Sequence, residues 1–146
     1  MPVKNTQHSF SSIPCVCAKI SIAYRQIHKI YADSLRKTGL TNEQVSIMIA
    51  LHRMGEMPQQ ELGSRFAIDR SSLSRNIKLL VEAKLVRSGK MDGKSILLSL
   101  TAKGTSKITG VLPEWLALQQ KVTEVLGIHA IREIDRVNDV LKELQP

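Results

Sequence analysis

Aromatic side chains are scarce: Phe10, Tyr24, Tyr31, Phe66 and Trp115 are the only five in 146 residues. That is too few for the stacking platform on which proteins grip single-stranded nucleic acid. Cysteine is scarcer still, occurring only as Cys15 and Cys17. Two thiols so close in sequence make no disulfide framework and fall short of the four ligands of a structural zinc site, so the chain suits a reducing compartment. No apolar run approaches the roughly 18 residues that span a bilayer, and the opening MPVKNTQHSFSS lacks the apolar stretch of a secretory signal. The expectation is a cytoplasmic protein with no membrane partner. Acidic residues are also in deficit, 13 against 21 Lys and Arg, which leaves a net charge of +8. At 42% hydrophobic and 23% charged, the chain has the composition of one globular domain, and disorder over its whole length is excluded.

Residues 1–12 are polar and aperiodic and read as a flexible arm, with a single domain over 13–146. Ile13, Val16, Ile20, Tyr24, Ile27, Tyr31 and Leu35 recur at spacings of three and four, one apolar stripe of a long helix that Gly39 stops. Thr41 followed by Gln44 is a capping-box pattern, which predicts a second helix ending near Gly55. Pro58 suits the first turn of a short third helix. Asp69 is a good N-cap for a fourth, with Leu73, Ile77, Leu80 and Val81 inward and Arg70, Ser71, Ser72, Ser74, Arg75 and Lys78 largely elsewhere. After Lys84 the period turns strand-like, and a hairpin from Leu85 to Leu100 carries Lys90 and Lys94 near its tip. Thr101 caps a long C-terminal helical region, with breaks or bends expected at Pro113 and near Gly127.

Two short helices joined by a tight turn and followed by a two-stranded hairpin are the order of a winged helix-turn-helix. A helix fits the major groove of duplex DNA, and a neighbouring hairpin can lay cations along the backbone or in the minor groove. Charge placement supports this. Residues 53–107 hold 11 Lys and Arg and 5 acids, a net +6 of the total +8. The excess charge is therefore concentrated on the segment whose shape suits DNA. The fold class expected is mainly α with a small β-hairpin: a winged part over 41–104 between helices at 13–37 and 105–146, whose apolar stripes favour dimerisation.

The segments GLTNEQVSIMIAL, QQELGSRFAIDRSSLSRNIKLLVEAKLVR and DGKSILLSLTAKG keep the order and spacing of the MarR family of bacterial transcription regulators, which the chain resembles over roughly residues 13–110. The resemblance implies a homodimer with entwined terminal helices, reading successive major grooves of a pseudo-palindromic operator, commonly as a repressor that a small-molecule effector releases. It carries over Ser71, Ser72, Ser74, Arg75 and Lys78 as DNA-binding residues. The wing departs from the family: Asp92, Gly93 and Lys94 stand where members commonly have Asp-x-Arg, in a loop about one residue shorter. A lysine there neutralises phosphate without arginine's planar fork, so the wing is expected to add affinity more than sequence choice.

The cysteines mark where a signal would enter. Cys15 is expected in the first turn of helix one, where unpaired amides favour a thiolate, with Cys17 about half a turn on. In the family's organic-hydroperoxide-sensing branch the reactive thiol lies near this helix start. Tyr31 matches a tyrosine that bonds it, while Ser21 and Asn42 replace two others. Within one helix Cys17 and Tyr31 are about 21 Å apart at 1.5 Å per residue, so contact requires the partner subunit. A Cys15–Cys17 bond is not expected inside a regular helix, where side chains two apart diverge by about 200°. Other roles for the thiols are apolar packing, or soft-metal binding. Tyr24, Tyr31 and Trp115 fit either the core or the effector pocket common in the family. The histidines are scattered, so no metal site or cofactor is expected. A cysteine-based redox enzyme and a protein-interaction module are the alternative functions. The enzyme reading lacks any accompanying Ser-His-Asp set, phosphate-binding glycine loop or HExxH motif.

Overall fold

The computed structural model describes residues 15–90 and 95–144. Helix α1, Val16–Leu35, runs into a 3-10 turn at Arg36–Thr38, which Gly39 ends in the left-handed conformation at φ 74°. Helix α2, Asn42–Met54, starts on the capping box read from the sequence: Thr41 Oγ1 accepts the Gln44 amide at 3.2 Å, and Gln44 Oε1 accepts the Thr41 amide at 3.1 Å. Strand β1, Met57–Pro58, leads into α3, Gln59–Phe66, and then α4, Arg70–Glu82. The hairpin is β2, Val86–Lys90, with β3, Ile96–Leu100, and the chain ends in α5, Ala102–Glu143.

Three details differ from the sequence reading. The sheet has three strands in the order β1-β3-β2, because Met57 and Pro58 pair antiparallel with Leu98 and Leu97. Pro58 therefore caps α3 from outside, with extended backbone at φ −63° and ψ 139°, instead of occupying its first turn. Helix α5 continues through Pro113, and the interior residue with non-helical backbone is Gly127, at φ 78° and ψ 156°.

The core lies where α2, α4, the sheet and the first turns of α5 meet. Leu35, Ile47, Met48, Leu62, Leu80, Leu98 and Ile108 are essentially inaccessible to solvent. Each such side chain contributes about 1.5–3 kcal/mol of burial free energy. The terminal helices fare differently. On α1 the stripe is buried at Tyr31 and Leu35, but Val16, Ile20 and Tyr24 stand in solvent. On α5 the buried residues stop at Val111, while Val125 (80% exposed), Ile128, Ile134, Val140 and Leu141 lie open.

The start of α5 is clamped to the root of the wing. Thr101 Oγ1 accepts the Gly104 amide at 2.9 Å and donates to the Lys84 carbonyl at 2.7 Å, and the Thr101 amide donates to the Leu85 carbonyl at 3.1 Å. Lys103 Nζ donates to the Ala83 carbonyl at 2.9 Å, closing the C-terminus of α4. Gly104 is buried against this junction, and a Cβ added there would overlap the Leu85 carbonyl. Among the described residues no helix is long and apolar enough to cross a membrane.

Candidate nucleic-acid interface

Helix α4 owes its position to one residue at its start and three along its inner face. Asp69, extended at φ −62° and ψ 150°, accepts the Ser72 amide on Oδ1 at 2.9 Å. Leu73, Ile77 and Leu80 are buried, and Val81 packs half-buried beside them. The opposite face is left to solvent: Ser71, Ser74, Arg75 and Lys78 recur at i, i+3, i+4 and i+7 and are all exposed. Arg70 is exposed at the first helical position, whereas Ser72 is half-buried, with its carbonyl accepting from Asn76 Nδ2 at 3.1 Å.

Little in the fold holds these cations back. Lys78 Nζ is 3.9 Å from Glu82 with both side chains more than half exposed, a contact that competes weakly with a phosphate. Lys90 is exposed at the end of β2. Lys94, together with Asp92 and Gly93, lies outside the described residues. Between α3, the start of α4 and the start of β3, at the far end of the hairpin from α5, is a half-open cavity of about 520 Å³. Gly63, Ile68, Leu73 and Ile96 line it, with Gln59 and Arg70 also at its wall.

Hydrogen bonds set the ionisation of Asp69. Those from the side chain and backbone of Ser72 and from the hydroxyl of Ser71 hold its carboxyl far below the usual carboxylate range. One contact was not visible in the sequence: Gln59 Nε2, at the start of α3, donates to Ser74 Oγ on α4 at 3.1 Å. The pair is 15 residues apart in the chain, and no local pattern announces it.

The residues singled out for sensing are not brought together within one chain. Cys15 and Cys17 are exposed at the free end of α1, and Tyr31 is buried near its other end. Cys15 is the residue before the helix, with extended backbone at φ −83° and ψ 114°, and not part of the first turn. With Cys15 outside the helix, the divergence of about 200° between side chains two apart in a regular helix does not govern the Cys15–Cys17 pair. Trp115 packs half-buried against the core, and Tyr24 lies exposed with its ring centroid 5.4 Å from that of His28. His28 Nε2 in turn meets Glu43 Oε1 at 3.0 Å, joining α1 to the first turn of α2.

A helix pair with its second member exposed, backed by a three-stranded sheet whose hairpin projects beside it, defines a winged helix-turn-helix protein. The MarR family model matches residues 38–95. The regulator MosR of M. tuberculosis, solved in complex with DNA, is 29% identical, covers 90% of this chain and 99% of its own, and superposes with a TM-score of 0.79. The HTH-type transcriptional regulator MhqR of Bacillus subtilis is 20% identical over 127 residues, 86% of each chain. A cysteine-to-serine mutant of MarR from E. coli, complexed with operator DNA, shares the fold at a TM-score of 0.72 and 18% identity, over 94% of this chain and 99% of that one. Over residues 38–95 the chain is similar to the MarR family model, and the relatives it resembles along most of its length are named as transcriptional regulators.

Proposed function

We propose that this protein binds duplex DNA as a homodimer, entering the major groove with α4 and flanking it with the wing, and acts as a repressor. The observation that carries the proposal is the outward face of α4. Ser71, Ser74, Arg75 and Lys78 form one exposed row of donors and cations on a helix whose other side is locked into the core. Arg70 and Ser72 at the helix start and Lys90 on the wing extend the same surface, with Lys94 assigned from the sequence alone. Arg75 is suited to a bidentate base contact and Lys78 and Lys90 to phosphates. DNA-bound relatives of the same fold favour this reading.

The bare stripes of α1 and α5 support the dimer. A monomer would leave Val16, Ile20, Val125, Ile128, Ile134 and Val140 in water, and a second copy offers the same apolar surface in return. Two recognition helices then address grooves about 34 Å apart on a pseudo-palindromic operator.

Release follows from a change in that spacing, through an effector or through Cys15 and Cys17. In the second case a thiol and a hydroperoxide give a sulfenic acid and an alcohol, and any response through Tyr31 would involve the partner subunit's Tyr31, since that of the same chain lies about 21 Å along the helix. Selection of bound genomic fragments, repeated with peroxide-treated and Cys17→Ser protein, tests the whole scheme alongside sedimentation. The expected results are a dimer, a steep salt dependence of binding, and peroxide release abolished in the variant. A monomer in solution, or binding that ignores salt, overturns the DNA-binding dimer. Peroxide release that persists in Cys17→Ser overturns the role of that thiol.

A further inference from the structure

Two of the serines on the exposed face of α4 are committed by the fold in opposite senses. A hydroxyl has one proton to donate and two lone pairs to accept with. Ser71 Oγ donates its proton to Asp69 Oδ1 at 2.7 Å. Asp69 stays ionised because the Ser72 and Ser71 hydrogen bonds favour its charged form, so it accepts only and never returns a proton. Ser71 thus turns lone pairs outward. Ser74 is the reverse: its oxygen accepts from Gln59 Nε2 at 3.1 Å, which leaves its own proton for an external partner.

We infer that the recognition face carries a preset hydrogen-bond polarity, with Ser71 reading a base as an acceptor and Ser74 reading a base as a donor, a sense Gln59 favours by filling one of the two lone pairs of its hydroxyl. In the major groove the exposed donors are the amino groups of adenine and cytosine, and the exposed acceptors are O6 and N7 of guanine, N7 of adenine and O4 of thymine. Ser71 is therefore matched to an amino group, and Ser74 to an acceptor, most selectively to guanine or thymine, which present no donor there, and less selectively to adenine, which presents both. Ser71 is also poorly suited to a phosphate, which only accepts. Gln59 touches no base in this scheme. It is a positioning residue, acting through the hydroxyl it holds.

The inference rests on α4 entering the major groove, and its test separates the two claims. Full-length protein is used to select bound duplexes from a random library, first as wild type and then as Gln59→Glu, Gln59→Met, Ser74→Ala and Ser71→Ala. A glutamate at position 59 is nearly isosteric with glutamine but only accepts, so it draws the Ser74 proton inward and reverses the polarity shown to DNA. Its negative charge weakens binding to every sequence alike, so the reading is the ratio between bases. The expected result is that one position per half-site, guanine or thymine with wild type, shifts toward cytosine or adenine with Gln59→Glu by several-fold to about tenfold. Ser74→Ala flattens that same position, and Gln59→Met, which keeps the volume without the bond, weakens its preference. Ser71→Ala flattens a different position, one occupied by adenine or cytosine. Melting curves establish that each variant is folded. Thymine against 5-methylcytosine at the Ser74 position repeats the comparison with the methyl group held constant. Unchanged base ratios in Gln59→Glu, or a loss uniform over all sequences in Ser74→Ala, overturn the inference while leaving DNA binding intact. Failure of the wild type to select any duplex overturns the groove-binding reading beneath it.

Discussion

Replacing Gly104 with alanine sets two effects of opposite sign against each other. In an open helix interior the change stabilises by about 0.5–1 kcal/mol, because glycine surrenders more backbone freedom on folding. At Gly104 the added carbon has no room: it would fall on the Leu85 carbonyl, which is backbone and cannot rotate aside. Relief requires the first turn of α5 to lift from the wing root. That lift stretches the bond the Leu85 carbonyl accepts from the Thr101 amide, at 3.1 Å, and the one the Thr101 hydroxyl donates to the Lys84 carbonyl, at 2.7 Å. Overpacking costs about 1–3 kcal/mol, and each weakened bond up to about 1 kcal/mol. The net expectation is a loss of about 2–4 kcal/mol. Gly110 lies in the same helix with nothing within 4 Å of an added Cβ, so Gly110→Ala is expected to gain about 0.5–1 kcal/mol. Urea denaturation of both variants at one fixed protein concentration, which keeps the comparison valid for the proposed dimer, gives the difference. A Gly104→Ala protein as stable as the wild type would refute the close approach of α5 to the wing.

Other expectations follow from single residues. Lys84 closes α4 in the left-handed conformation at φ 59°, a position that favours glycine, so Lys84→Gly is expected to raise stability by about 1 kcal/mol in the same urea assay. Arg75→Ala is expected to weaken operator binding by about 1–3 kcal/mol and relax preference at one base, whereas Lys78→Ala weakens all sequences alike and lowers the salt slope by about one, both read by fluorescence anisotropy. Burial raises the carboxyl pKa of Glu43, but its backbone hydrogen bond and the bond and charge of His28 outweigh this and hold it below its ordinary 4.5. Its folded value being the lower one, the stability it supplies is present above the ordinary value and lost as pH falls through the folded one. Stability measured against pH should therefore show Glu43→Gln differing from wild type at neutral pH, with the difference vanishing in acid.

The features legible in the sequence were those governed by neighbours along the chain. Thr41, Asp69 and Thr101 cap their helices through residues three positions on, and such local bonding can be read from spacing alone. The alternation of Leu73, Ile77 and Leu80 with Ser71, Ser74, Arg75 and Lys78 showed which face of α4 is free. What escaped depends on distant parts of the chain. Met57 and Pro58 are too few to signal a strand and become one only by pairing with Leu98 and Leu97. Pro113 carries the usual sign of a break, yet the hydrogen-bonded helix continues on both sides of it. The Gln59–Ser74 bond depends on the angle between α3 and α4, which no residue in either helix encodes by itself.

The clamp between Thr101 and the wing root makes the wing and the start of α5 a single rigid piece. From Ala102 to the Gly127 kink α5 extends about 37 Å at 1.5 Å per residue. Such a helix is a lever whose short end grips the DNA-reading part and whose long end lies among the bare apolar residues. A displacement of a few ångströms at the far end turns the near end by only some five degrees. If α4 enters a groove as proposed, that tilt moves every side chain of its outer face in concert, so a perturbation at the distal end shifts the whole face instead of loosening one contact.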